Sequence, residues 1–294
     1  MSVAVIINPI SGGARPGTAE RRAQVALDAV ERHGDRPEVF ITERPGHARE
    51  LARAAAAARD MRLVLAWGGD GTINEVASAL VFGDVPLGII PAGSGNGLAR
   101  ELGVNWQPER AIASALASEP RLVDVGEIDR RFFVNIAGIG FDAEVAAKFN
   151  RPENTSRGLR AYAALTARSF FTYRGREYRV TAEQQQLCMR ALMIVIANGT
   201  EFGNRILIAR GARVDDGQLD VVVVEDRPLA HTIGRVPWLV ARQIHRVPQW
   251  STRPARRVAI ECDEPMMFHV DGEPVQGGTR LEARIHPGAL RVCV

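Results

Sequence analysis

Apolar and polar residues alternate in two different ways along this chain. In roughly the first 120 residues, short β-rich apolar runs alternate with longer segments of helical periodicity. The apolar runs lie at 3–7, 37–41, 62–66 and 86–90, and the helical segments lie at about 17–33, 46–59, 72–81 and 108–118. Strand–helix alternation is typical of a parallel sheet covered by helices. We therefore predict an α/β domain over residues 1–122.

The pattern changes near residue 122, where turn residues begin to separate short candidate strands. These strands are predicted at 122–128, 131–137, 177–183, 190–197, 219–224, 256–261, 267–270 and 280–285. One helical segment, at about 157–173, interrupts them. The pattern favours a second, mainly antiparallel β-sandwich domain over residues 123–285. A last apolar run leads us to expect residues 286–294 to rejoin the first domain.

Glycine-rich turns follow three of the predicted strands in the first domain. They lie at residues 8–13, 68–72 and 91–97. Ligands bind outside the carboxyl ends of the strands in an open parallel sheet. Glycine lets backbone N–H groups approach an anion, and the N–H groups that open a following helix point the same way. We predict that the three turns converge on one phosphate-binding site.

The central turn, Gly68-Gly69-Asp70-Gly71-Thr72, contains a single carboxylate. A carboxylate beside a triphosphate is repelled unless a cation lies between them, so Asp70 is predicted to hold Mg²⁺, directly or through water. The alternative is an Asx-type turn cap. Thr72 and Asn74 could bond phosphate, and capping of the next helix by Thr72 is an equal alternative. For Glu75, a structural role on the first helical turn is favoured over a catalytic one.

Four motifs, in this order, resemble the diacylglycerol kinase catalytic-domain family, which includes bacterial lipid kinases and sphingosine kinases. They are Asn8-Pro9-x-Ser11-Gly12-Gly13, the run 68–75, Pro91-Ala92-Gly93-Ser94-Gly95-Asn96 and Asp271-Gly272-Glu273. The Gly-Gly-Asp-Gly-Thr core is shared with NAD kinases and 6-phosphofructokinases, and the other motifs narrow the match to the lipid-kinase branch. The resemblance implies an NAD kinase/diacylglycerol kinase-like fold and ATP-dependent, Mg²⁺-assisted transfer of the γ-phosphoryl group to the hydroxyl of diacylglycerol or a related lipid. The alternatives are an NAD kinase-like enzyme and a regulator that binds nucleotide or lipid without turnover.

The resemblance also places nucleotide contacts at Ser94, Thr42 and the loop of Asn8. Taken alone, Thr42 is interpreted as a helix N-cap, because a helix begins near Gly46. The predicted nucleotide-binding residues are Asn8, Thr42, Gly68, Gly69, Asp70, Gly71, Thr72, Asn74, Gly93, Ser94 and Asn96.

Glu273 is the predicted general base. The predicted catalytic residues are Glu273, Asp70 and Asp271. Lipid hydroxyls are very weak acids, so a positioned carboxylate must accept the proton during transfer. Without the resemblance, Asp271-Gly272 would be interpreted as an ordinary hairpin turn. With it, we expect a loop that presents Glu273, and Asp271 is expected to support that residue or to position the metal.

Two further acidic positions carry weaker predictions. By resemblance, Asp216 binds a second Mg²⁺ with main-chain carbonyls at Arg213 and Gln218, and a metal-free Asp-Gly turn is an equal alternative. Asp142 follows a glycine-rich turn and could meet the acceptor lipid, although capping of the next helix is favoured.

Charge and cysteine usage bear on partners and location. The formal net charge is +3 without a basic tail or block, which argues against a nucleic-acid partner. Three widely separated cysteines favour a reducing, cytoplasmic location. No apolar run approaches bilayer-spanning length, so we expect a peripherally membrane-associated protein with a lipid substrate. Residues 229–250 could lie on a membrane interface, but a half-buried surface helix is favoured; a homodimer is left open.

Overall fold

The computed structural model describes residues 1–13, 15–151, 159–201, 207–228, 234 and 250–294. Contacts divide the chain into two units: Met1–Asp124 with Gly288–Val294, and Val125–Pro287. Contacts do not show what either unit binds, so the assignment of an ATP-binding and a lipid-binding domain stays a prediction. Nearly all of the segment 229–250 lies outside the described residues.

The first unit is built on a parallel sheet. Its elements are β1 (Ser2–Ile7), α1 (Thr18–Arg32), β2 (Arg36–Ile41), α2 (His47–Ala56), β3 (Met61–Gly68), α3 (Asp70–Leu80), β4 (Leu87–Pro91), α4 (Gly97–Glu101) and α5 (Pro108–Ala117). The strands pair in the order β2-β1-β3-β4, all parallel. All six residues of β1 are buried, as expected for a strand with both faces covered. The predicted parallel sheet with helices is confirmed.

The second unit is built on antiparallel strands. Its elements are β5 (Arg121–Ile128), which begins in the first unit, β6 (Arg131–Phe133), β7 (Ile136–Gly140), α6 (Phe141–Phe149), α7 (Leu159–Thr172), β8 (Arg176–Ala182), β9 (Gln185–Ala197), β10 (Leu219–Glu225), β11 (Trp250–Ala255), β12 (Arg257–Glu261), β13 (Met267–Val270), β14 (Glu273–Gln276) and β15 (Arg280–Cys293). The first part of β15 pairs with β12 in this unit. Its last residues, Val292 and Cys293, pair in parallel with β4 in the first unit.

Several predicted boundaries and caps are wrong. The strand expected at 131–137 is two strands, β6 and β7. The helix expected from residue 72 begins at Asp70 with Gly69 as its N-cap, so Thr72 does not cap it. The N-cap of α2 is Gly46, so Thr42 is not a helix cap either. Thr42 instead extends the β1–β2 pairing, because its N–H donates to the carbonyl of Ile7 at 2.9 Å.

Glu75 joins two helices of the first unit. Its nearly buried carboxylate accepts the N–H of Gly46 at 2.7 Å through Oε1 and the N–H of Ala48 at 3.0 Å through Oε2. These N–H groups belong to the start of α2, where the chain has no intrahelical acceptor for them. The favoured structural role of Glu75 is thus seen at α2 rather than at its own helix, α3.

Glu75→Gln is expected to lower the free energy of unfolding by about 1–2 kcal/mol, because one N–H would lose its acceptor and face an amide donor. Urea unfolding measures this change. Glu109→Gln is the matched control, since Glu109 is an exposed first-turn glutamate of α5. Equal midpoints for Glu75→Gln and the parent would show that the contact adds nothing to stability.

Candidate functional site

Asp70 connects the central glycine-rich turn to the turn that follows β4. Its Oδ2 accepts the N–H of Asn96 at 2.8 Å, and its Oδ1 accepts the N–H of Gly97 at 2.7 Å. Gly97 is the first residue of α4, so the carboxylate lies where the dipole of that helix favours negative charge. Asp70 thus holds the segment after β4, and its predicted roles as a Mg²⁺ ligand or as an Asx-type turn cap stay predictions.

The glycines of the three turns are needed for the turns to approach one another. A Cβ on Gly93 would lie 2.7 Å from the Cα of Gly69, and one on Gly12 would lie 2.2 Å from the carbonyl oxygen of Ala92. A Cβ on Gly95 would lie 2.5 Å from the Asp70 Oδ2. Real Cβ atoms do not come this close to backbone, so larger residues would separate the turns. The structure thus brings the three turns together around Asp70.

Asn8 and Thr72 join the first turn to the start of α3. The Asn8 Nδ2 donates to the Thr72 Oγ1 at 2.9 Å, and the Asn8 Oδ1 accepts the N–H of Ile10 at 3.1 Å. A Cβ on Gly68 would lie 2.5 Å from the Thr72 Cβ, so this corner is also closely packed. The Thr72 hydroxyl is therefore engaged inside the protein, where it holds the first turn in place.

Arg22 is a residue of this site that the sequence did not indicate. From α1, its guanidinium donates to the carbonyl oxygens of Asn8 at 2.8 Å and of Ser11 at 3.0 Å. It also lies over the ring of Trp67, 5.7 Å from the centroid. Burial lowers the pKa of this guanidinium. No local pattern in α1 marks Arg22, because its partners lie in the preceding turn and in β3.

The predicted nucleotide-binding residues divide into buried and accessible groups. Asn96 is fully buried, with φ of 53°, and its side chain bonds back to Gly93: Oδ1 accepts the N–H at 3.1 Å and Nδ2 donates to the carbonyl at 2.5 Å. Four further members are buried, namely Thr42, Gly68, Thr72 and Asn74. The accessible members are Ser94, which is exposed, and Asn8, Gly69, Asp70, Gly71 and Gly93, which are partly exposed. The accessible surface of these turns is thus formed largely by glycine backbone.

In the second unit, Glu273 is the first residue of β14, not part of a loop as predicted. The turn before it has φ of 48° at Asp271 and 90° at Gly272, and Val270 pairs with Glu273 across it. Positive φ at both central residues defines a type I′ hairpin. Glu273 is exposed, so its carboxylate is accessible at the start of the strand.

Asp271 binds three consecutive backbone N–H groups. Its carboxylate accepts from Val134 at 2.8 Å, from Asn135 at 3.0 Å and from Ile136 at 2.9 Å. These N–H groups turn toward Asp271 at the point where β6 ends and β7 begins, which explains why the chain forms two strands here instead of one. This gives Asp271 an anchoring role in the hairpin, and its predicted catalytic role stays a prediction.

Asp142 is not the N-cap residue of α6, which is Gly140, but its Oδ1 accepts the N–H of Ala143 in the first turn at 2.9 Å. Its side chain is 7% exposed, and its Oδ2 lies 3.3 Å from the Nε2 of the equally buried His269. The carboxylate thus bonds both the first turn of α6 and His269, and the predicted contact of Asp142 with the acceptor lipid stays a prediction.

The predicted second metal site forms a local turn. The Asp216 Oδ1 accepts the N–H of Gln218 at 3.0 Å, and Arg213 forms an ion pair with Asp215 at 3.1 Å. Burial, and secondly the charge of Asp216, raise the pKa of Asp220. In the described part of the chain, no three His, Cys, Asp or Glu side chains come together as a metal site. A site made mainly of carbonyls is not tested by this observation, so it stays a prediction.

Comparisons with known proteins identify the family. The family model "Diacylglycerol kinase catalytic domain" matches residues 2–128, and the model "YegS C-terminal NAD kinase beta sandwich-like domain" matches residues 135–294. A Pseudomonas aeruginosa protein named "Probable lipid kinase YegS-like" is 32% identical over 95% of this chain and 91% of its own length. The chain belongs to the diacylglycerol kinase catalytic-domain family. The Bacillus subtilis protein named diacylglycerol kinase is 29% identical over 92% of this chain and 88% of its own length.

Solved structures agree with this family's fold. A diacylglycerol kinase from Bacillus anthracis superposes with a TM-score of 0.73 at 19% identity, covering 99% of this chain and 96% of the other. An NAD kinase from Archaeoglobus fulgidus, solved in complex with ATP, gives 0.56 at 15% identity, with 100% and 94% covered. The predicted fold class is confirmed: an α/β N-terminal domain and a mainly antiparallel β-sandwich C-terminal domain. None of the described helices of this diacylglycerol kinase family member is long and apolar enough to cross a membrane.

Proposed function

We propose that this chain is an ATP-dependent lipid kinase that transfers the γ-phosphoryl group to a hydroxyl of diacylglycerol or a related lipid. The observation that carries the proposal is the meeting of three glycine-rich turns around Asp70 in the first unit. Relatives over most of the chain are named lipid kinase and diacylglycerol kinase, and a fold neighbour was solved with ATP, which supports the same donor and acceptor classes.

The turns of the first unit are proposed to bind the ATP phosphates mainly through backbone N–H groups. Glycine backbone at positions 69, 71 and 93 is partly exposed, and Ser94 adds an exposed hydroxyl. Backbone donors at a helix start suit an anionic ligand. The buried side chains of Thr72 and Asn96 would act by holding the turns in shape, through the bonds of Thr72 with Asn8 and of Asn96 with Gly93.

Mg²⁺ is proposed to lie between Asp70 and the phosphates. Asp70 is a partly exposed carboxylate beside the glycine backbone of the turns, and carboxylate oxygens are ligands that a hard cation prefers, so the residue fits Mg²⁺. A Mg²⁺ ion bound with ATP commonly uses only one or two carboxylates, together with phosphate oxygens and water. The bound ion would neutralise phosphate charge during transfer.

Glu273 is proposed to accept the proton of the lipid hydroxyl as the new O–P bond forms. Its exposure and its fixed place opposite Val270 support this role. With a lipid acceptor, the protein would work at a membrane surface as a peripheral cytoplasmic enzyme. A second Mg²⁺ at Asp216 is proposed to have a structural role, because the Asp216 side chain bonds a residue of its own turn, Gln218.

The test is a kinase assay with labelled ATP and a total lipid extract, followed by mass spectrometry of the product. We expect label in a phosphorylated lipid, and the product mass names the acceptor. A parallel reaction with NAD separates the NAD kinase alternative. Transfer to NAD alone, or tight ATP binding without transfer to any lipid, would overturn the proposal; the second outcome favours a non-catalytic regulator.

A further inference from the structure

The turn that carries Glu273 is bonded to the rest of the second unit at each of its central residues. The N–H of Asp271 donates to the carbonyl of Ile136 at 2.8 Å. The N–H of Gly272 donates to the Nδ1 of His269 at 3.3 Å, and its carbonyl accepts from the Asn150 Nδ2 at 3.0 Å. The turn is therefore connected to β7, to β13 and to the end of α6.

His269 uses both ring nitrogens in these contacts. Because Nδ1 accepts the N–H of Gly272, the ring hydrogen lies on Nε2, which donates to the Asp142 Oδ2 at 3.3 Å. The two side chains are 6% and 7% exposed. A buried polar pair of this kind costs free energy unless it is bonded, and the two bonds fix the orientation of the ring.

The residue opposite His269 provides the space for this pair. His269 pairs with Gly138 of β7. A Cβ on Gly138 would lie 1.8 Å from the Asp142 Oδ2 and 2.6 Å from the His269 Nε2. Only glycine therefore allows the carboxylate and the ring to meet over β7.

We propose that the buried pair of Asp142 and His269 positions the turn that carries Glu273, so that His269 is a positioning residue for phosphoryl transfer. The proposal rests on the proposed role of Glu273 as the base. A general base must lie within hydrogen-bond reach of the proton that it accepts, and a displacement of about 1 Å can cost 10²-fold in rate. His269 connects the N–H of Gly272, one residue before Glu273, to α6 through Asp142.

Two variants of His269 separate positioning from stability. In His269→Gln, the side-chain amide nitrogen can reach the place of Nε2 and keep Asp142 bonded, but the N–H of Gly272 loses its acceptor. In His269→Asn, the amide oxygen lies near the place of Nδ1 and keeps Gly272 bonded, but the Asp142 Oδ2 loses the ring donor, while its Oδ1 keeps the N–H of Ala143. Positioning predicts that the Gln variant loses more kcat, whereas a merely structural role predicts that the Asn variant, in which the buried Asp142 Oδ2 lacks the ring donor, loses more.

We expect His269→Gln to lower kcat for lipid phosphorylation by about 10-fold with KM for ATP unchanged, and His269→Asn to stay within about threefold of the parent. Thermal unfolding should rank the variants in the opposite order. His286→Gln is the matched control, because His286 also pairs with a buried carboxylate, that of Glu127 at 2.6 Å, and should leave kcat unchanged. Parent-like kcat in His269→Gln, or a lower kcat in His269→Asn, would overturn the inference.

Hydrogen exchange tests the same contact without activity. The amide of Gly272 should exchange faster in His269→Gln than in the parent or in His269→Asn; equal exchange in all three would contradict the proposed contact. A parent protein that phosphorylates no lipid, or a Glu273→Gln variant at the parent rate, would instead overturn the proposed function. The two failures are thus distinguishable.

Discussion

Glu273→Gln is expected to lower kcat for lipid phosphorylation by about 10²–10⁴-fold, the usual contribution of a positioned general base. Glutamine keeps the size and polarity of the side chain but cannot accept the proton of the lipid hydroxyl. The residue is exposed at the first position of β14, so the exchange should leave the type I′ turn and its anchoring by Asp271 intact. ATP binds through the other unit in our proposal, so its affinity should not change.

Single-turnover assays with the lipid acceptor, together with calorimetric titration of ATP, separate these two effects. Glu177→Gln is the matched control, because Glu177 is also an exposed strand glutamate of the second unit. Transfer at the parent rate in Glu273→Gln would remove this residue from the chemical step. A loss of ATP affinity equal to the loss of kcat would also contradict the assignment, since it would indicate a binding role.

Local patterns made the central turn predictable from the sequence. Residues 63–67 form an apolar run, glycines follow, and a helical pattern begins after them, so a strand–turn–helix arrangement needs only neighbouring residues. The Asp-Gly pair before Glu273 offers a two-residue hairpin as the alternative to the expected loop, and the structure contains that hairpin. The strand after that hairpin is not predicted, because residues 273–276 are too few to show an alternation of apolar and polar side chains.

The contacts that shape the site were not predictable, because their partners are distant along the chain. Asp70 bonds to residues 26 and 27 positions away, and Asp271 bonds to residues 135 to 137 positions away. For Thr42 and Thr72 the sequence offers helix capping as an alternative to nucleotide binding, because capping uses partners within a few residues. Only the folded chain shows that Gly46 and Gly69 hold those positions.

The glycines show a related limit of sequence patterns. The sequence indicates glycine-rich turns, and an approach to phosphate is a sufficient reason for them. In the structure, Gly12, Gly93 and Gly95 are also required by other parts of the protein: Ala92, Gly69 and Asp70. A pattern along the chain cannot distinguish a glycine needed for approach to phosphate from one needed for close packing of the turns, because the missing Cβ satisfies both requirements.

Asp70→Asn is expected to lower kcat/KM for ATP by about 10²-fold. Two effects contribute to this loss: the turn after β4 becomes less fixed, and Mg²⁺ binds more weakly. Asparagine offers one acceptor oxygen in place of two, and its amide group would face the N–H of Asn96 or Gly97, so the turn after β4 should lose its fixed position. The loss of the negative charge should also weaken Mg²⁺ binding with the nucleotide.

Two measurements separate these effects of Asp70→Asn. ATP binding without metal reports the shape of the turns, whereas the Mg²⁺ concentration for half-maximal activity reports the metal role. Gly95→Ala is the matched comparison, because its Cβ would lie 2.5 Å from the Asp70 Oδ2 and would disturb the same contact while the charge remains. Both variants should bind metal-free ATP more weakly, but only Asp70→Asn should require more Mg²⁺. An equal Mg²⁺ requirement in both variants would assign Asp70 to holding the turns alone, since charge is the property in which the variants differ.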